Sequence, residues 1–270
     1  RLLMSKISIY CVTNVELKYL EELNLNLAGV GTKKFKKNYV TALRGKNIQH
    51  KEKNYSELTF HYWFWKNRLK KIDKNLWVGF CQKRRFWLKA DKKITNFKQL
   101  KKYILRKPPD KWLKYESIIC NPIKIDNPKK MKLIKRGYKN ILSNPSIIYD
   151  KKKQNIKLHF DMHHGYGILD KAINHLNKKE RILFKEFVNK NNSFNPHIMF
   201  ISKKKIIDKW FKSLFSWLFR CEKEFGLKNL KGYDQQRLYA YLAERYLSFW
   251  FKKNTKYLEW YWAFFEKKTK

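Results

Sequence analysis

The sequence predicts an α/β layer fold with a mainly parallel sheet flanked by helices. Three observations lead to that prediction. Short runs rich in β-branched and aromatic residues alternate with longer stretches of helical periodicity, as strand–helix–strand units do. The chain has 270 residues, enough to bury a sizeable core. Its composition is that of a folded protein, 43 % hydrophobic and 17 % aromatic, with only nine glycines and six prolines.

Lys6 to Thr13 (KISIYCVT) is a β-branched run closed by polar Asn14, and reads as the first strand. Gly29 to Asn38 follows as a stretch containing Gly and Lys. Tyr55 to Leu69 reads as a helix rich in aromatics, and Leu76 to Cys81 (LWVGFC) as a buried strand. Asp91 to Asp150 is Lys-rich, and Pro108, Pro109, Pro122, Pro128 and Pro145 cut it into loops and short elements. Ile156 to Asp161 and His197 to Ser202 read as two further strands. Ile206 to Phe225 and Gly232 to Lys252 read as two long helices. No internal repeat is evident. Ligands of such sheets bind beyond the carboxyl ends of the strands. The places to search are therefore Thr13–Asn14, the loops after Cys81 and Asp161, and the surroundings of Ser202.

The formal net charge is +41, which calls for an anionic partner such as nucleic acid, a phosphorylated ligand or an acidic membrane surface. The excess comes from 52 Lys against 11 Arg, scattered along the whole chain from Lys33–Lys37 through Lys101–Lys107 and Lys129–Lys139 to Lys203–Lys205. Lys is accompanied by much Asn, Ile, Phe and Tyr, all encoded by AT-rich codons, so codon bias competes with function as the cause. Direct base reading favours the planar fork of Arg, which is scarce here. Nucleic acid is thus the disfavoured partner, and a non-enzymatic polyanion- or nucleic-acid-binding protein is the alternative reading. Cys11, Cys81, Cys120 and Cys221 lie far apart with no CxxC pair, which fits a reducing compartment. Neither a signal peptide nor an apolar run of about 18 residues is visible. The expected location is the cytoplasm. The aromatic segment Tyr257 to Phe265, with lysines around it, offers docking on the anionic inner face of the cell membrane.

Four motifs bear on chemistry. Asn54 and Glu57 have the spacing of a capping box, so they either start a helix or present its N-terminus to a phosphate. In Val78 to Trp87 (VGFCQKRRFW) an apolar strand runs into Lys83, Arg84 and Arg85, either a solvated charge run or a diphosphate site. If His159 to Gly167 is extended, His159, Asp161 and His163 share one face. With no fourth ligand identifiable, an uninvolved loop is the favoured reading, a polar loop contributing to a substrate pocket comes next, and a metal site last. In the last helix Arg237, Tyr241, Glu244 and Ser248 recur at i, i+4, i+7 and i+11, one polar stripe on a greasy helix. That stripe is either internally paired or lines a cavity with a carboxylate ready to act as a base.

The block NYSELTFHYWFWKN (Asn54 to Asn67), followed by WVGFCQKRRFW (Trp77 to Trp87), resembles the hallmark of a glycosyltransferase-like family from capsule, exopolysaccharide and O-antigen gene clusters. That family, long catalogued as a domain of unknown function, shows NYxELTxxYWxWKN and then GxxHYRRYF. NPHIMFISKK (Asn195 to Lys204) is similar to its NMFIMKK strand, and WLF (Trp217 to Phe219) and YDQQRLYAYLAERYLSFWF to its last two helices. The resemblance covers about Ile7 to Phe251. One departure is that Gln82-Lys83 replaces the family's His-Tyr.

The resemblance implies a single GT-A-like, Rossmann-related domain over residues 1–270, its donor-binding half at about 6–150 and its helical acceptor half at about 151–270. It implies transfer of a sugar from a nucleotide sugar to a glycan or lipid-linked glycan acceptor. Thr13, Asn14, Asn54, Glu57, Lys83, Arg84 and Arg85 are the expected donor contacts. Where such folds normally carry an Asp-x-Asp pair with a divalent metal, this chain has Gln82-Lys83-Arg84. Fixed cations would then neutralise the leaving diphosphate, and neither a metal nor another cofactor is expected. Glu244, then Asp234 and Asp161, are the candidate bases for the acceptor hydroxyl. His163, His164, Arg237 and Tyr241 are the expected substrate contacts.

Overall fold

The computed structural model describes residues 6–126 and 128–267. They gather into two compact units. Of the described residues, the first unit contains 6–121, 197–213 and 250–267, and the second 122–126, 128–196 and 214–249.

The first unit is built on a mixed sheet. Its strands are β1 (Ile7–Thr13), β2 (Asn26–Gly29), β3 (Val40–Thr41), β4 (Trp77–Gln82), β5 (Arg85–Trp87) and β6 (Ser117–Cys120). After β7 (Ile123–Lys124) and β8 (Ser193–Phe194), which pair with each other in the second unit, come β9 (Phe200–Lys203), β10 (Tyr257–Trp260) and β11 (Trp262–Phe264). The order across the sheet is β10-β6-β9-β4-β1-β2-β3, with β5 attached to β4 and β11 to β5. Within the seven-strand path only β9 runs against its neighbours.

The sequence of β1, ISIYCVT, is buried over its last five positions, as expected of a strand covered on both faces. In β4, Gly79 allows three strands to close up. A Cβ there would stand 2.7 Å from Cγ1 of Ile201 and 3.3 Å from Cγ1 of Ile9. On one side of the sheet, Trp77, Trp112 and Trp260 meet edge to face in a core with Ile9, Cys11 and Ile201. On the other, Tyr10, Phe60, Phe64, Phe80, Phe200 and Phe211 form an aromatic layer beneath the helix Leu58–Asn67.

The second unit is mostly helical. Phe184, Trp217, Tyr246 and Phe249 interlock at its centre, and Leu133, Ile147, Leu158 and Met162 form a smaller apolar cluster.

Several local expectations are corrected. Ile156–His164 is a helix and not a strand. Its short apolar run fits either state, and a cap decides between them: the Asn155 side chain accepts from the Leu158 N–H at 3.0 Å. Tyr55 to Leu69 is not continuous. The helix Glu52–Tyr55 stops at Ser56, whose φ is 52°, and a new helix starts at Leu58. Asn54 and Glu57 consequently form no capping box, and Glu57 makes no side-chain cap bond. The last long helix is interrupted at Arg237, between Tyr233–Gln236 and Leu238–Asn254. The strand expected from His197 begins at Phe200, because His197 and Ile198 have φ of 76° and 50°. Tyr257–Phe265, the aromatic segment considered for membrane docking, carries β10 and β11, with Trp260 buried and Phe264 exposed.

Candidate functional site

In an open sheet with parallel strands, a crevice opens where the strand order reverses. Here the chain proceeds from β1 outward to β2 and β3, then returns to the other side of β1 as β4. The reversal lies between the carboxyl ends of β1 and β4, at Thr13 and Gln82. The residues after those ends meet. Lys83 Nζ donates to Asn14 Oδ1 at 2.8 Å, while the Lys83 N–H bonds the Val12 carbonyl at 3.2 Å. Tyr19 OH donates to the Lys83 carbonyl at 2.5 Å and fixes the turn from outside.

Gly31, just past β2, faces the same corner. Its φ of 92° is a value that glycine adopts at no steric cost, and a Cβ there would lie 3.6 Å from Glu52 Cδ and 3.9 Å from Asn14 Cβ. Gln49 holds this loop by donating from Nε2 to the Gly31 carbonyl at 2.8 Å. Thr13 is itself buried, its hydroxyl donating to the Val15 carbonyl at 2.6 Å, so it shapes the turn that presents Asn14.

A second group adjoins the tip of β4. Gln82 Nε2 donates to Glu57 Oε1 and, at 2.8 Å, to the His197 carbonyl. Arg85 bridges the same two residues: Nη1 donates to Gln82 Oε1 at 3.2 Å, and Nε to His197 Nε2 at 3.1 Å. His197 Nε2 must therefore be the unprotonated nitrogen of a neutral ring. Arg84 turns elsewhere and pairs with Glu266 at 3.2 Å. The three consecutive cations thus divide, with Lys83 and Arg85 beside the crevice residues and Arg84 on Glu266. Asn54 is buried.

In the second unit, the helix Ile156–His164 and the helix Leu238–Asn254 bring another set together around Arg245, which is 2 % exposed. Arg245 Nη1 bonds Glu244 Oε2 at 2.5 Å, and Nη2 donates to His159 Nδ1 at 3.1 Å and lies 3.5 Å from His164 Nε2. Its Nε has no hydrogen-bond partner among the described residues. The guanidinium also lies over the Phe194 ring, 4.5 Å from its centre. His164 Nδ1 donates to the Asp234 carbonyl at 2.8 Å, and the ring stacks on Tyr241 at 3.8 Å. His163 bonds the His159 carbonyl and stacks on that ring.

Burial first, and the Arg245 charge second, push His159 down to about 2 and His164 down to about 3. Both rings are neutral at physiological pH. Burial chiefly lifts Tyr241 to about 12, so its hydroxyl keeps its proton.

Asp161 is saturated. It accepts from Asn140 Nδ2 at 2.7 Å, from Lys157 Nζ at 2.8 Å and from the Gly167 N–H at 3.1 Å. Such a carboxylate pins the corner after its helix. Asp234 pairs with Arg136 at 3.3 Å. Arg237 sits at the break before the last helix. Because residues 156–164 are helical, the one-face arrangement of His159, Asp161 and His163 on a strand does not arise. No group of three His, Cys, Asp or Glu suited to a metal occurs among the described residues.

Sequence reasoning overlooked Glu52, His197 and Arg245. Arg245 did leave a signal, since it falls seven residues after Leu238 on the apolar stripe of its helix. Glu52 and His197 reach the crevice through folding across the sheet, and their local sequence carries no mark of it.

A mixed, mainly parallel sheet flanked by helices is an α/β architecture. It superposes on a solved structure titled "WbbM bifunctional glycosytransferase apo structure" with a TM-score of 0.64 at 17 % identity, over 97 % of this chain and 46 % of that one. The present chain thus spans a little under half of that enzyme's length. The chain belongs to the family described as "Domain of unknown function (DUF4422)", whose pattern it matches over residues 8–255. No curated protein matches it.

Proposed function

We propose that this protein is a glycosyltransferase of the hexosyltransferase type. It would move a sugar from a nucleoside-diphosphate donor to a growing surface glycan or a lipid-linked glycan. The fold likeness and the family support the class of enzyme. The observation that supports the donor site is the joining of the β1 and β4 tips by Lys83 and Asn14. In this reading Asn14 and the Gly31 loop border the nucleoside, and Asn54, Glu57 and Gln82 form the polar backing. Lys83 and Arg85 neutralise the diphosphate as the bond to the sugar breaks, a role that fixed cations can fill in the transition state. A metal is not required in this reading.

For the acceptor hydroxyl we propose Glu244 as base, with one oxygen held by Arg245. His163, His164 and Tyr241 are the proposed acceptor contacts. Asp161 is left out, because its oxygens are already occupied by donors. Transfer of radiolabelled sugar from a panel of nucleoside-diphosphate donors, in membranes supplying lipid-linked acceptors, tests the reading. Glu244→Gln should keep donor binding and lower turnover by about 100-fold or more. A folded Glu244→Gln protein with parental turnover would remove Glu244 from the role, and a parent protein that consumes no donor would remove the function.

A further inference from the structure

The first unit also holds a concavity at the other end of β4. A cavity of about 640 Å³ opens there, and among the described residues its wall carries Lys46, Lys66, Lys70, Lys74, Lys204 and Lys205 against one carboxylate, Asp208. Lys66 and Lys70 end the helix that begins at Leu58 and the turn after it, and Lys74 leads into β4. Lys204 and Lys205 open the helix after β9, whose Lys203 pairs with Trp77 at the start of β4. At ~3.3 Å per residue, the length of β4 separates this cavity from the Lys83 turn by roughly 17 Å.

The wall is organised. Lys204 Nζ donates to the Lys70 carbonyl at 2.5 Å and the Ile72 carbonyl at 3.2 Å, tying the helix start to the turn. Trp65 Nε1 donates to Asp208 Oδ1 at 2.7 Å, which engages that acid from the side. The Lys66 ammonium lies 3.2 Å from the centre of the Trp65 ring. Burial foremost, then the neighbouring charge of Lys46, lowers the affinity of Lys66 for its proton, and Asp208 only partly opposes this. Six ammonium groups around one hollow repel one another, and a ligand carrying several negative charges would relieve that repulsion. Among the described residues no arginine lines the hollow to select a planar carboxylate. Compact ammonium charges on flexible stems suit the high charge density of clustered phosphates. The volume is that of an ordinary ligand site.

We propose that this cavity binds a polyanionic phosphate group, a diphosphate or longer, at a site separate from the β1/β4 crevice. Such a group could come from a free polyphosphate or from the head of a phosphorylated lipid. The proposal does not rest on the transfer reaction and stands or falls by binding alone.

The test uses the full chain and two probes. Inorganic tripolyphosphate is titrated by calorimetry, and vesicles of phosphatidylcholine with or without phosphatidic acid are used for co-sedimentation. Lys46, Lys70 and Lys205 are exposed, so the triple variant Lys46→Gln, Lys70→Gln, Lys205→Gln should fold, and the corresponding triple Lys→Arg variant checks that charge is what matters. Expected is binding of at least one probe by the parent protein, weakened at least tenfold in the triple Gln variant. The Arg variant should retain it. Tripolyphosphate binding identifies a free ligand as sufficient, and binding to phosphatidic acid vesicles alone identifies a lipid head. Binding of neither probe, equal binding by the triple Gln variant, or loss of binding in the triple Arg variant would overturn the proposal.

Discussion

Lys83 is the cation nearest the switch point, and its loss should be felt in binding before stability. Lys83→Gln removes a charge-assisted contact worth about 1.5–3 kcal/mol, so affinity for a nucleoside diphosphate should fall about tenfold or more by calorimetry, with melting little changed. Gly79 has the opposite signature. The methyl of Gly79→Ala would press on Ile201 at 2.7 Å within a closed sheet, so about 1–3 kcal/mol of stability should be lost in urea unfolding. Asp161 belongs with Gly79. Its three donors include Lys157, which is mostly buried, and Asp161→Asn leaves that ammonium without its nearest counter-charge. About 2–3 kcal/mol should go, since Lys157 keeps Asp170 at 3.2 Å and some contact with water.

At the scale of elements, Arg245 governs how two helices of the second unit meet. Arg245→Met keeps the stem and removes the guanidinium bonded to Glu244 and His159, so about 2 kcal/mol should be lost, and a calorimetric scan would register it. The elements also show what the sequence could express. β1 and β4 were legible because both are covered on two faces and read as unbroken apolar runs. The helix Lys204–Phe225 was legible because its apolar positions recur with helical period over 22 residues. Ile156–His164 was misread because nine residues are too few for period alone to separate helix from strand, and the Asn155 cap settles it. The break at Ser56 rests on a left-handed backbone that no local preference of serine foretells. At the crevice, Asn14 and Lys83 were readable as strand-end residues. His197 was not, since it comes 115 residues after its partner Gln82 and its own strand begins only at Phe200.

For the whole molecule, buried neutral histidines set the acid limit. His61, packed at 4.5 Å against Phe80, is held by burial at about 3, and His159 and His164 at about 2 and about 3. Unfolded, each would take a proton near its ordinary value of 6.5, so between about pH 3 and 6.5 the unfolded chain binds more protons than the folded one. Stability must therefore rise with pH across that window and fall on acidification, by at most about 1.4 kcal/mol per pH unit for each ring. Melting temperatures should accordingly drop steadily below about pH 6.5. His164→Gln should flatten that slope, and a parent protein whose melting is level from pH 6.5 to 4 would refute the assignment of these rings as neutral.

In the proposed function, cations at the β1/β4 reversal receive the diphosphate of an activated sugar. The most direct measurement is a thermal-shift screen of nucleoside-diphosphate sugars with the parent protein and Lys83→Gln, run once with EDTA and once with manganese. At least one donor should raise the melting temperature of the parent equally in both conditions, and the shift should be largely lost in Lys83→Gln. A shift that appears only with manganese, or one that Lys83→Gln leaves intact, would contradict it.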